Sequence, residues 1–172
     1  MRSQSAFGDP ARNRTAAPFM RALGTVWLGG DATGVTLRLP CVPATCGGVH
    51  RDAIDLRGVA AVLDHAGGAA VYAALDGARA TATLELRLDF LGVPAPGKDL
   101  FASAGCAALE TGCALIHGQA WCEDAAAPVA RMSGRFIVGT GPGQWRGAAQ
   151  RQPRLDTAAR ERLCRRLLVE GA

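Results

Sequence analysis

Aromatic side chains are scarce in this sequence, with three Trp, one Tyr and five Phe among 172 residues. Apolar residues still make up 49% of the chain, many of them Ala, so a core built from them is close-packed from small side chains. Long apolar runs are missing. Without 18 consecutive apolar residues no transmembrane span is expected. The start, "MRSQSAFGDPARNRTAAPF", lacks the apolar h-region of a secretory signal, and a cytoplasmic protein is expected. Cys-x-x-Cys pairs are missing too. The six Cys (41, 46, 106, 113, 122 and 164) read as reduced thiols in that compartment. "CVPATC" has no second ligand pair after it, so no metal is expected, and no cofactor is called for.

Residues 1–140 have no excess of either charge. The net +4 of the chain sits in residues 141–172, where seven Arg meet three acidic residues. A nucleic-acid-binding domain lines one face of its fold with basic side chains, so nucleic acid is not expected as a partner. The length suits one domain. It reads as a mobile segment over 1–16, a folded body over 17–140, and a linker with a basic helix over 141–172. In that last segment Asp156 is a good N-cap, Gly171 a good stop, and Leu163, Leu167 and Leu168 share a side.

Periodicity is what the sequence does have. "APFMRALGTVWL" predicts a short helix after Pro18 and then a strand through Trp27. "GGDAT" predicts a turn, and "GVTLRLP" a second strand ended by Pro40. Residues 41–54 read as loop. From 56 to 75, Leu56, Val59, Ala60, Leu63, Gly67, Ala70, Val71 and Ala74 follow helical spacing, with Asp76-Gly77 as the stop. From Ala78 to Phe90 the sequence alternates strictly. Arg79, Thr81, Thr83, Glu85, Arg87 and Asp89 share one face, and Ala80, Ala82, Leu84, Leu86, Leu88 and Phe90 the other. Three more strand-like runs cover roughly 99–109, 112–123 and 128–139. Short connections make such strands an antiparallel sheet, and one apolar helix must cover its inner face. The expected class is α+β. It is a long antiparallel sheet wrapped around one central helix, the hotdog architecture, with an N-terminal helix and a C-terminal helical extension.

Asp64 is the odd residue in "GVAAVLDHAGGAAVYAAL". Asp is costly inside a helix because its carboxylate competes for backbone donors, and an ionised carboxylate in an apolar setting needs a partner. One explanation is a structural bond to a neighbouring backbone or loop. The other is chemistry, as a general base towards water or as a nucleophile. The amides near Arg57 and Gly58, at the helix N-terminus, offer donors and a positive dipole end to a developing oxyanion. Arg51 and Arg57 are candidate phosphate binders. The twin glycines Gly67 and Gly68 suit a close helix contact between two copies. His65 reads as a surface or interface residue, since adjacent helical side chains point about 100° apart. His117 falls on a strand face with Cys113, Leu115, Gln119 and Trp121.

From about Phe19 to Val138 the sequence resembles the phenylacetyl-CoA-type branch of the hotdog thioesterases. That branch reads His-Gly-Gly, six residues, then a catalytic Asp in the central helix. Asp64 falls at the Asp, while the His-Gly-Gly positions hold Asp55, Leu56 and Arg57. "LELRLDFLGVPAPGKDL" is similar to the strand-turn-strand after the helix, and "VARMSGRFIV" to the closing strand. The resemblance implies hydrolysis of an acyl-CoA thioester, with Asp64 and the Gly58 amide as the catalytic groups. Arg57, Arg51, His50 and Gly68 are the expected substrate contacts. The resemblance also implies a site built across a homodimer, which can pair into a dimer of dimers. Two alternatives stay open. His50 lies 14 residues before Asp64, the spacing of the His and helical acid in hotdog dehydratases of 3-hydroxyacyl thioesters. A non-catalytic hotdog module that binds acyl-CoA is the third reading.

Overall fold

The computed structural model describes residues 17–48, 50–75 and 81–139, with only the backbone of His50 and Arg51. The expected mobile start over 1–16, the expected helix stop at Asp76-Gly77 and the expected linker and basic helix over 141–172 lie outside the described residues. A short helix, α1 (Pro18–Ala22), leads into β1 (Val26–Asp31) and β2 (Gly34–Leu39). A small hairpin of β3 (Cys46–Gly47) and β4 (His50–Ile54) precedes the long helix α2 (Leu56–Ala74). Four longer strands follow: β5 (Thr81–Phe90), β6 (Leu100–Glu110), β7 (Cys113–Trp121) and β8 (Ala130–Val138). Six strands form one antiparallel sheet in the order β1-β2-β6-β7-β8-β5. The expected hotdog architecture is therefore present, with β1 and β5 at the two edges.

The core lies between α2 and one face of the sheet. Val59, Val62, Leu63, Ala66, Ala70 and Val71 of the helix are buried with Leu37, Leu39, Leu100, Ile116, Met132 and Phe136 of the strands. Alternate residues of β7 show how the sheet divides: Ala114, Ile116 and Ala120 are buried, and His117 between them is exposed. The buried stripe of α2 is wider than the spacing predicted. Val62 and Ala66 join it, whereas Leu56 is 38% exposed. Among the described residues no helix is long and apolar enough to cross a membrane.

Three local expectations are corrected. Residues 41–54 are not all loop, because Cys46 pairs with Ile54 and Gly47 with His50; strands this short carry no alternation to read. Gly29, Gly30 and Asp31 belong to β1, and the turn is Ala32–Thr33. Asp31 closes that turn by accepting from the Thr33 amide at 2.8 Å and hydroxyl at 2.6 Å. The strict alternation of β5 breaks at Leu84. Thr83 pairs with Phe136 and Glu85 with Arg135, leaving Leu84 as the extra residue of a bulge, 62% exposed. Leu84 and Glu85 thus both turn outward. Thr83 before the bulge faces the helix, as do Leu86 and Leu88 after it.

Candidate active site

Asp64 sits midway along α2, half-buried, and Thr83 of β5 reaches it across the helix–sheet interface. The Thr83 hydroxyl donates to Asp64 Oδ1 at 2.6 Å. A short bond of this kind to an ionised acceptor is stronger than a neutral one. It fixes the carboxylate beside an edge strand. The sequence pointed to Asp64 but not to Thr83, whose inward aim depends on the bulge.

The first turn of α2 is closed by its own N-cap. Asp55 precedes the helix in extended conformation, and its carboxylate accepts from the Arg57 amide at 2.8 Å. The Arg57 side chain returns to the same carboxylate through Nε at 2.8 Å and Nη2 at 3.1 Å. That pairing holds the Asp55 carboxyl below its usual range, against the opposing effect of burial. The hairpin folds over the cap, so a Cβ at Gly47 would stand 3.3 Å from Asp55 Oδ2. Asp immediately before an apolar periodic run is a readable N-cap signal; it was the sign of this arrangement.

These bonds involve two residues expected in the site. The Gly58 amide donates to the Asp55 carbonyl at 2.8 Å, and Gly58 is buried against Ile54 and Leu39. Neither it nor the Arg57 amide is an open oxyanion donor in this structure. Arg57, expected at a substrate phosphate, pairs with Asp55 through Nε and Nη2. The expected helix contact between copies is also corrected at Gly67. A Cβ there would lie 2.6 Å from Phe136 Cζ, so the glycine makes room for the protein's own ring. Gly68 faces Phe136 and Thr81 more loosely, at 3.9 and 4.0 Å. His50 and Arg51 lie in β4, on the hairpin beside the helix N-terminus.

His65 is half-buried, and burial lowers its pKa, opposed by the charge of Asp64. His117 lies on the outer face of the sheet. It lines a shallow groove of about 740 Å³ with Leu28, Thr36 and Gln119. That groove does not include Asp64. It is open and sits on the convex face, so the Thr83–Asp64 pair, not the groove, marks the candidate site. Among the described residues no three His, Cys, Asp or Glu side chains converge as metal ligands.

No family model matches the sequence, and no curated protein matches it. Solved structures do. A Pseudomonas aeruginosa protein matches with a TM-score of 0.67 and 26% identity over 73% of this chain and 93% of that one. A thioesterase family protein from Silicibacter pomeroyi matches with a TM-score of 0.67 and 22% identity, over 76% of this chain and 96% of the other. The E. coli PaaI protein from the phenylacetic acid degradation operon matches with a TM-score of 0.63 and 16% identity, over 76% and 90%. The chain shares its fold, the hotdog, with these proteins. On a hotdog helix, Arg57 and Asp64 are seven residues apart, which puts them on one face but about 10 Å apart along the axis. One thioester carbonyl cannot lie about 3 Å from both a first-turn amide and the Asp64 carboxylate of the same chain.

Proposed function

We propose that the protein is a cytoplasmic thioester hydrolase that cleaves an acyl-CoA to the free acid and coenzyme A. Asp64 is the general base towards water or the attacking nucleophile. The observation that carries this reading is the position of Asp64 on the central helix of a hotdog fold, oriented by Thr83 at the β5 edge. The working unit is a homodimer, able to pair into a dimer of dimers. Two features support this: β5 is a sheet edge ten residues long, and unpaired edges of that length need covering. Edge pairing of two β5 strands sets two Asp64 carboxylates near the shared boundary. Arg51 and His50, on the hairpin, and Gly68, one turn past Asp64, remain the proposed substrate contacts.

A second reading is favoured by one observation. The first-turn amides of α2 are engaged by Asp55, which suits a module that binds acyl-CoA without turning it over. One experiment separates the two. Coenzyme A release is measured over a panel of acyl-CoAs, with a 3-hydroxyacyl thioester included to detect dehydration. The hydrolase reading expects release, reduced at least about 100-fold in Asp64→Asn, as removal of an acid–base group does. Tight binding without release, or release unchanged in Asp64→Asn, overturns it.

A further inference from the structure

Cys41 and Cys46 bracket the turn between β2 and the hairpin. Their sulfurs lie 3.1 Å apart, roughly 1 Å outside the length of an S–S bond. The turn that holds them is already closed. Thr45 Oγ1 accepts from the Val42 amide at 3.0 Å and donates to the Pro40 carbonyl at 2.6 Å. The Cys46 amide donates to the Val42 carbonyl at 3.0 Å. Cys41 is pinned separately, its amide donating to Asp99 Oδ1 at 2.8 Å. Neither thiol is deeply buried, so a small oxidant can reach them. The other described thiols meet only backbone groups: Cys122 accepts from the Ala95 amide, and Cys106 faces the Ala108 carbonyl.

We propose that Cys41 and Cys46 form a peroxide-reactive dithiol that closes to an intrachain disulfide. Cys41 is the attacking thiol. Its S–H donates to the Asp52 carbonyl at 3.4 Å, which leaves the Cys46 S–H to donate to the Cys41 sulfur, a bond that persists once Cys41 has lost its proton. Burial and the neighbouring Cys41 push the Cys46 pKa up to about 11, so Cys46 keeps its proton while Cys41 reacts. The Cys41 thiolate attacks one oxygen of hydrogen peroxide. The O–O bond breaks, hydroxide leaves and takes up the proton that Cys41 gave up on ionising, giving the first water, and Cys41 becomes a sulfenic acid. Cys46 then attacks the Cys41 sulfur. The S–S bond forms, the S–O bond breaks, and hydroxide departs with the Cys46 proton as the second water. Two thiols are oxidised by two electrons and one peroxide is reduced to two waters.

The bridge acts on the proposed site through one hydrogen bond, because the Asp55 amide donates to the Thr45 carbonyl at 2.9 Å. It therefore stiffens the turn that supports the cap of α2. The proposal does not depend on hydrolysis. The full chain, reduced and then exposed to hydrogen peroxide, is alkylated under denaturing conditions and digested with trypsin. Cleavage after Arg38 and Arg51 gives one peptide, 39–51, that carries both thiols. The expected result is that this peptide loses both alkylatable thiols and two hydrogens before other cysteine peptides change, and recovers them with dithiothreitol. In Cys46→Ser, Cys41 should stall as a sulfenic acid trapped by dimedone. If peptide 39–51 stays fully alkylatable while other thiols oxidise, or if Cys41 crosslinks between chains instead, the proposal fails. The wild-type peptide decides this even if the variant folds poorly.

Discussion

Thr83 Oγ1 donates to Asp64 Oδ1 at 2.6 Å, although 19 residues separate the two and a bulge at Leu84 is needed to aim the hydroxyl inward. A hydrogen bond to a charged group contributes about 1.5–3 kcal/mol, enough to hold one carboxylate rotamer. Thr83→Val keeps the shape and removes the donor. We expect kcat for acyl-CoA hydrolysis to fall by about 10-fold, KM to change little, and Thr83→Ser to restore most of the loss. Equal loss in Val and Ser variants would mean the hydroxyl does not position Asp64.

Gly67 and Gly68 are neighbours in sequence but not in environment. A Cβ at 67 meets Phe136 Cζ at 2.6 Å, and Phe136 is 1% exposed, with little room to move. A Cβ at 68 makes only ordinary contacts at 3.9 and 4.0 Å. Overpacking costs about 1–3 kcal/mol, whereas Gly→Ala in a helix interior contributes up to about 1 kcal/mol. Gly67→Ala should lower the urea midpoint and Gly68→Ala should leave it unchanged or raise it. The reverse order would refute the glycine–ring packing.

Much of this fold was legible because periodicity survives in long elements. The α2 pattern and the alternations of β6, β7 and β8 each span nine residues or more. The β3–β4 hairpin was not, since its two-residue and five-residue strands carry too few positions to show a face. The bulge was hidden by its own pattern: Leu84 continues the apolar alternation perfectly but is turned outward. Asp64 could be found because it is the wrong residue for its helix. Its partner could not, because a one-residue slip decides which face Thr83 takes. The engaged amides of Arg57 and Gly58 escaped for a different reason. Asp55 carries a cap signal, but a cap and an open oxyanion site make competing use of the same donors.

His65 and Asp55 both contribute to the pH dependence of stability, and their windows differ. Burial lowers the His65 pKa below its ordinary 6.5. Below 6.5 the unfolded chain binds a proton that the folded chain resists, so stability declines as pH falls from there. The Asp55 carboxyl is lowered from 3.8 by Arg57. Its contribution is present above 3.8 and is lost as pH falls through the folded value. Urea midpoints measured from pH 7.5 downward should therefore fall in two stages. His65→Gln should flatten the first stage and Asp55→Asn the second. A wild-type midpoint constant between pH 7 and pH 5, with His65→Gln superimposed on it, would remove His65 from the account.

The homodimer prediction rests on where the edge and the carboxylate lie. β5 occupies one end of the sheet and pairs only with β8 among the described strands. Thr83 of that edge strand holds Asp64. The first-turn amides of α2 are engaged by Asp55 and stand about 10 Å from Asp64, so the oxyanion donor for a carbonyl at Asp64 is not the first turn of its own helix. Activity should therefore require association. Light scattering at micromolar concentration should give twice the chain mass or four times it, and hydrolysis per chain should fall on dilution in step with loss of the dimer. A monomer at micromolar concentration that hydrolyses acyl-CoA at the full rate would show that a single chain completes the site, and the shared arrangement would have to be abandoned.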